Sequence, residues 1–251
     1  MTLDDLARMV PGFDWSLVLV YLRIQAMMLA LPGFGERVLP VRVKVAVAMA
    51  LTPLMRELAP VAVMPTEPFA ILAAVLPEIV IGFVTGALLR IMAIAIDMAA
   101  TAIAMTASLA QLIGGTGDSA PHPIGNMLHL GGLAVLFALG LPAMLVDLIA
   151  DSFALWPSGA LPDIATLAPA AASFVAESFG LALLLAAPFI LGGFLFQALS
   201  GVINRVMPSL PVAFIGAPAA ILLALAALAL FVPMIVSLWA DSVLNFTLPR
   251  P

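Results

Sequence analysis

Five ionisable residues stand inside or beside long apolar runs of this 251-residue chain: Arg23, Glu78, Arg90, Asp97 and Asp147. A charge held in hydrocarbon is costly, so each must carry either chemistry or a partner. The chemistry open to such residues is a proton or ion relay. A relay wants its groups clustered along one helix, and these are scattered. Structural pairing, or snorkelling of the long side chains to the interface, is the better reading. Arg90 and Asp97 are seven apart, which predicts one helix face and a separation of two turns. Arg23 and Glu78 lie in separate runs and could pair between helices.

Other chemistries lack their residues. With no Cys there is no disulfide, thiol nucleophile or Cys-based metal site. A His-based metal site would need both His122 and His129 plus carboxylates. No Gly-x-Ser-x-Gly, His-Glu-x-x-His or phosphate-binding loop occurs, and Gly114-Gly115-Thr116-Gly117 lacks the lysine that a nucleotide loop requires. A formal charge of −5 with nine Lys and Arg speaks against nucleic acid as a partner. The expectation is a protein that is not an enzyme and holds no cofactor.

Glycine and proline mark four further places. Gly82 and Gly86 have the spacing that lets two helix backbones approach closely. Residues 114–123 hold Gly114, Gly115, Gly117, Asp118, Pro121 and Pro123, an irregular stretch at the end of a deep apolar run. The glycines permit sharp turns and the prolines stop helices. Such backbone at membrane depth survives only where protein or water surrounds it, so it reads as a pore loop or as a surface loop between spans. Residues 32–44 form a turn ending in Arg42 and Lys44. Residues 201–211 form another, in which Asn204 and Arg205 are placed to cap the carbonyl end of a helix ahead of Pro208 and Pro211.

The elements that position these residues are set by composition. Hydrophobic residues make up 64% of the chain and charged residues 9%, against about half and about a quarter in soluble domains. That surplus belongs in a membrane. Runs long enough to matter are 15–31, 43–54 (extending to about 63), 69–113, 124–149, 180–200 and 212–239. The third is too long for one simple span and is either two helices or one bent helix. Residues 166–174 are expected to form a short interfacial helix. Alternating strand patterns are absent, and apolar runs of this length must satisfy their backbone internally. The fold class is therefore all-α: a polytopic helical membrane protein of six to seven long, partly bent apolar helices, in one domain over 1–251. Asp4, Asp5 and Asp14 against Arg8 make a poor start for a cleavable signal peptide. The basic cluster Arg37, Arg42, Lys44 and Arg56 would put its connection in the cytoplasm.

The order of these segments resembles the FliR family of export proteins. Leu22-Arg23 leads into 32–44, which resembles the family's Pro-(Gly/Val)-Phe-Gly turn with Phe34, and its Pro-x-Arg-x-(Arg/Lys) continuation through Arg42. Glu78-Ile79-Val80-Ile81-Gly82 with Gly86 resembles the Glu-(Ile/Leu)-x-x-Gly-x-x-x-Gly stretch. The glycine-rich residues stand where the family has its central loop. Asn204-Arg205 with Pro208, then Gly216-Ala217-Pro218, resembles its late connection and final helix. The match covers roughly 15–240. The chain departs from the pattern at Asp118, followed here by Ser119, and at Ser209, where many relatives carry Gln.

The resemblance implies a subunit of the type III export gate of the flagellar basal body, in the bacterial inner membrane. Its partners would be FliP-like and FliQ-like subunits, other export-apparatus membrane proteins, lipid, and unfolded protein substrates. Gly114, Gly115, Gly117, Asp118, Pro121 and Pro123 would form the plug loop of the channel. Met105, Leu109 and Leu112 would form an apolar seal. Arg23, Phe34, Arg42, Glu78, Gly82, Gly86, Asn204, Arg205 and Pro208 would hold structure or meet neighbouring subunits. A virulence secretion subunit is the related alternative. A small-molecule transporter is the distant one, since no repeated half-sequence is present.

Overall fold

The computed structural model describes residues 14–36, 39–106, 123–207 and 212–249. Helices dominate, and no strand occurs among the described residues. In chain order they are α1 (Trp15–Ala30), α2 (Val41–Met55) with a 3-10 turn (Arg56–Leu58), α3 (Pro68–Ala93), α4 (Ala95–Thr106), α5 (Pro123–Leu139), α6 (Leu141–Leu155), α7 (Ile164–Val206) and α8 (Val212–Leu244).

Local chemistry explains most boundaries. Asp14 caps α1: its carboxylate accepts the Ser16 amide at 2.9 Å. The hydrogen bond from Arg56 to that carboxylate holds Asp14 below the usual aspartate range, against the opposing effect of its partial burial. Pro32 ends α1, and Gly33 turns the chain at φ 79°. Proline opens both α3 and α5, where a missing amide costs nothing. Pro123, expected to stop a helix, therefore starts one. Asp163 caps α7 through the Ala165 amide at 3.0 Å.

Three apolar runs take shapes that the sequence left open or suggested differently. The run 69–113 becomes two helices through residue 106, broken at Ile94, whose carbonyl accepts both the Asp97 and Met98 amides. The run 124–149 is bent by 72°. Gly140, at φ 118°, takes a left-handed conformation and Pro142 restarts the helix in its first turn. The interfacial helix expected over 166–174 is instead the first part of α7, which continues for 43 residues. Nothing between Phe174 and Gly180 breaks a helix, and one glycine inside a helix costs only about 1 kcal/mol.

Pro68–Met105, Ile164–Val206 and Pro218–Leu244 are long and apolar enough to cross a membrane, and the bent α5–α6 pair makes a fourth if it is one span. This is a helical membrane protein. At 16 residues, α1 reaches about 24 Å, short of the roughly 30 Å of hydrocarbon.

The chain forms two compact units. The first comprises 1–91, 140–174 and 246–251 and contains α1, α2, most of α3, α6 and the start of α7. Its buried residues include Ile24, Met27, Leu31, Ile81, Leu89 and Ile149. Phe246 meets Phe174 with ring centroids 5.0 Å apart. The second comprises 92–139 and 175–245 and contains α4, α5, the rest of α7 and α8. Ile96, Ile103, Leu136, Trp239 and Val243 are buried there, and Phe189 packs edge-on to Phe231 at 6.1 Å.

Candidate functional site

The first unit is organised around a buried ion pair. Arg23 on α1 and Glu78 on α3 are both 0% exposed, with Nε donating to Oε2 at 2.6 Å. The same guanidinium donates from Nη1 to the carbonyls of Ser152 at 3.1 Å and Trp156 at 3.0 Å. These belong to the carbonyl end of α6, where a cation is favoured and orphan acceptors need donors. The Phe153 ring lies 3.9 Å from the guanidinium carbon, a cation–π contact. Glu78 uses its second oxygen to accept the Gly159 amide at 3.2 Å. Gly159 sits at φ 85°, a conformation that its Trp-Pro-Ser-Gly turn requires. One arginine and one glutamate thus tie α1, α3, the end of α6 and the turn after it.

Directly beside the pair, α3 presses its glycines onto α1. A methyl group at Gly82 would run into the backbone carbonyl of Arg23. One at Gly86 would lie 2.5 Å from the Met27 carbonyl and 3.0 Å from the Ala30 side chain. The partner of this spacing is therefore a helix of the same chain.

The turn after α1 is pinned in the same manner. Phe34 is buried. Glu36 accepts from Arg90 Nη2 at 3.0 Å, and its carbonyl accepts from Lys44 Nζ at 2.9 Å. Gly35 allows this: a side chain there would stand 2.7 Å from two carbonyls of α1 and the residue after it. Lys44 and Arg56 are committed to Glu36 and Asp14, while Arg42 is exposed. Arg37 lies outside the described residues.

In the second unit the break at Ile94 leaves an acceptor free. The Asp97 amide bonds Ile94 in place of Ala93. Trp239 Nε1 of α8 donates to that Ala93 carbonyl at 2.9 Å, buried. Gly132 on α5 makes room for the indole, since a methyl there would lie 2.9 Å from both the Trp239 ring and Ile96. Asp97 Oδ1 meets His129 Nδ1 at 2.7 Å, joining α4 to α5. Replacing Trp239 by phenylalanine keeps the ring but strands a buried carbonyl. The expected cost is about 1–3 kcal/mol, read as a lower melting temperature in detergent; an unchanged value would remove the indole from this role.

Arg90 and Asp97 stand on either side of the break at Ile94, and each takes its own partner, Glu36 and His129. Asp147 is exposed on α6. Asn204 and Arg205 are also exposed; the end of α7 is closed by the Met207 amide on the Ile203 carbonyl at 2.8 Å instead of by their side chains. Met105 is 76% exposed. Gly114, Gly115, Gly117, Asp118, Pro121, Leu109, Leu112, Pro208 and His122 lie outside the described residues. Sequence reasoning missed Glu36, Gly159, Trp239 and the Asp97–His129 pair. Of these, Gly159 alone carried a local signal, its turn dipeptide. The charges that the structure brings together join helices, which is the chemistry of a fixed framework.

Comparison with known proteins agrees with the segment order. Residues 15–246 match the profile of bacterial export proteins, family 1. The flagellar biosynthetic protein FliR of Caulobacter vibrioides is 29% identical over 229 residues, covering 89% of this chain and 90% of that protein. The FliR of Pectobacterium carotovorum subsp. carotovorum is 27% identical over 233 residues, covering 92% and 88%. That of Aquifex aeolicus is 28% identical over 225 residues, covering 88% and 86%.

Proposed function

The chain belongs to family 1 of the bacterial export proteins, and from that premise we propose that it is a non-enzymatic subunit of a flagellar type III protein export gate. It sits in the bacterial inner membrane at the flagellar basal body. It walls part of the passage for unfolded export substrates beside FliP-like and FliQ-like subunits and other membrane proteins of the apparatus. Residues 114–123 take the plug of that passage, by their place in the family's segment order.

One observation carries this reading. The 43 residues of α7 follow roughly 65 Å of helix, about twice the hydrocarbon thickness and more than a single crossing uses. Yet large apolar side chains stay exposed along its whole length, from Ile164 through Val175, Leu184 and Phe194 to Val206. Apolar surface outside hydrocarbon needs protein cover. A subunit packed mainly against other subunits supplies it. The flagellar branch is favoured over the virulence branch because the relatives above are flagellar by name.

Affinity purification of the tagged chain from gently solubilised membranes tests the proposal. FliP-like and FliQ-like proteins are expected to come with it in fixed ratio. A monodisperse single chain that moves a small solute in liposomes would overturn it.

A further inference from the structure

One apolar patch of the first unit is centred on a segment that is not helical. Residues 59–67 join the 3-10 turn to α3 without regular structure. Their backbone is nevertheless held. The Ala62 amide donates to Ser16 Oγ at 2.9 Å, and Ser16 is buried. The Ala59 carbonyl accepts from Arg56 Nη1 at 3.3 Å, and Ala59 itself is buried. Pro60 and Pro65 fix two further φ angles. Between and beside these ties, Val61 and Val63 are left 81% and 88% exposed. Leu58 and Phe69 are exposed at the two ends of the segment, Phe69 by 82%. Apolar side chains displayed on a backbone already fixed cost little ordering when something covers them.

Charge decides what covers the patch. Glu57 and Glu67 flank it, both are exposed, and neither side chain has a hydrogen bond or ion pair among the described residues. Residues 57–69 hold no Lys or Arg, and Arg56 beside them is paired with Asp14. Surfaces that settle on lipid combine apolar side chains with Lys or Arg, whereas two uncompensated carboxylates are repelled by an anionic bilayer face. A strand added along the segment would lack partners at Pro60 and Pro65, which carry no amide, so recognition rests on side chains. We propose that residues 57–69 are a docking surface for another polypeptide of the export apparatus, one that presents an apolar stretch bracketed by Lys or Arg. Its apolar residues cover Val61, Val63 and Phe69, and its cations meet Glu57 and Glu67. That the partner belongs to the apparatus rests on the export-gate reading; the docking surface does not.

Val63→p-benzoylphenylalanine in the full chain, illuminated in native membranes, tests the surface, with Val61 as a second position for the same probe. The expected result is an adduct to a second kind of polypeptide. Mass spectrometry should place the crosslink in an apolar stretch with Lys or Arg within a few residues on both sides. Glu57→Lys with Glu67→Lys should lower the yield by about fivefold, the size of two exposed ion pairs, and reversing the partner's cations to Glu should restore it. Both positions are exposed, so the charge variants should melt with the wild type in detergent, which separates lost docking from lost folding. Adducts confined to lipid, to the same chain or to a second copy of it would overturn the docking surface, as would no adduct at either position. So would a yield indifferent to charge reversal. A charge-swappable adduct to a polypeptide from outside the export apparatus would uphold the surface and overturn its link to the export-gate reading.

Discussion

Replacing Glu78 by glutamine is expected to cost about 3–5 kcal/mol. Glutamine preserves the shape, but its single oxygen can accept from only one of the Arg23 Nε and Gly159 amide donors, and its NH2 group then faces the other. The larger reason is charge. Arg23 cannot shed its proton in a protein, so the substitution leaves a cation 0% exposed with no anion. The reciprocal change, Arg23→Gln, leaves a glutamate that a proton can neutralise. Its cost arises elsewhere, from the Trp156 carbonyl, which loses its donor, at about 1–3 kcal/mol if it is left buried; the Ser152 carbonyl keeps the Trp156 amide at 3.0 Å. Arg23→Lys fares little better, because one ammonium cannot reproduce a fork that serves three acceptors. For a chain of this length the Glu78→Gln loss corresponds to a fall in melting temperature on the order of 10 °C. The double change Arg23→Met with Glu78→Met is expected to recover part of it, since no lone charge remains. A wild-type melting temperature for Glu78→Gln would mean that the pair does not hold the first unit together.

Gly82→Ala is the second large effect. Its methyl group meets the Arg23 carbonyl, a backbone atom with nowhere to swing. Helix α1 must move off α3, and Gly86→Ala asks the same at Met27 and Ala30 one turn on. Overpacking of this kind costs about 1–3 kcal/mol, sometimes more. Because Gly82 presses on the residue that pairs with Glu78, the two substitutions should combine non-additively. Gly180→Ala supplies the control. Nothing lies within 4 Å of a methyl group there, so alanine should gain about 0.5–1 kcal/mol in the middle of α7. Melting temperatures of the two alanine variants moving in opposite directions is the expected result. Equal, small shifts would show that α1 and α3 do not pack through these glycines.

How far the sequence could be read depended on how local each signal was. The Gly82–Gly86 spacing announces close packing, but its partner helix is a matter of three dimensions. Arg23 and Glu78 were visible as charges needing company, yet the carbonyls of Ser152 and Trp156 that complete the site belong to residues of no distinctive type. Arg90 and Asp97 were visible as charges in one apolar run, but the partners they take, Glu36 and His129, lie 54 and 32 residues away along the chain. The bend at Gly140 had its cue in the glycine and the proline two places on, overlooked inside an unbroken apolar run. His129 offers no local hint of Asp97, 32 residues earlier in the chain.

Composition by itself settled the class of molecule. A chain with 64% hydrophobic residues cannot cover itself for water, and in lipid its backbone must bond within each segment, which leaves helices. The order of turns and glycines carried the family. Tertiary structure alone decided which helix meets which: that Arg23 serves three segments, that Trp239 takes the carbonyl freed at a helix break, and that a histidine faces an aspartate across a hairpin. Those choices depend on direction and distance between residues far apart in the chain, and a linear pattern of apolar and polar side chains is nearly the same for every such arrangement.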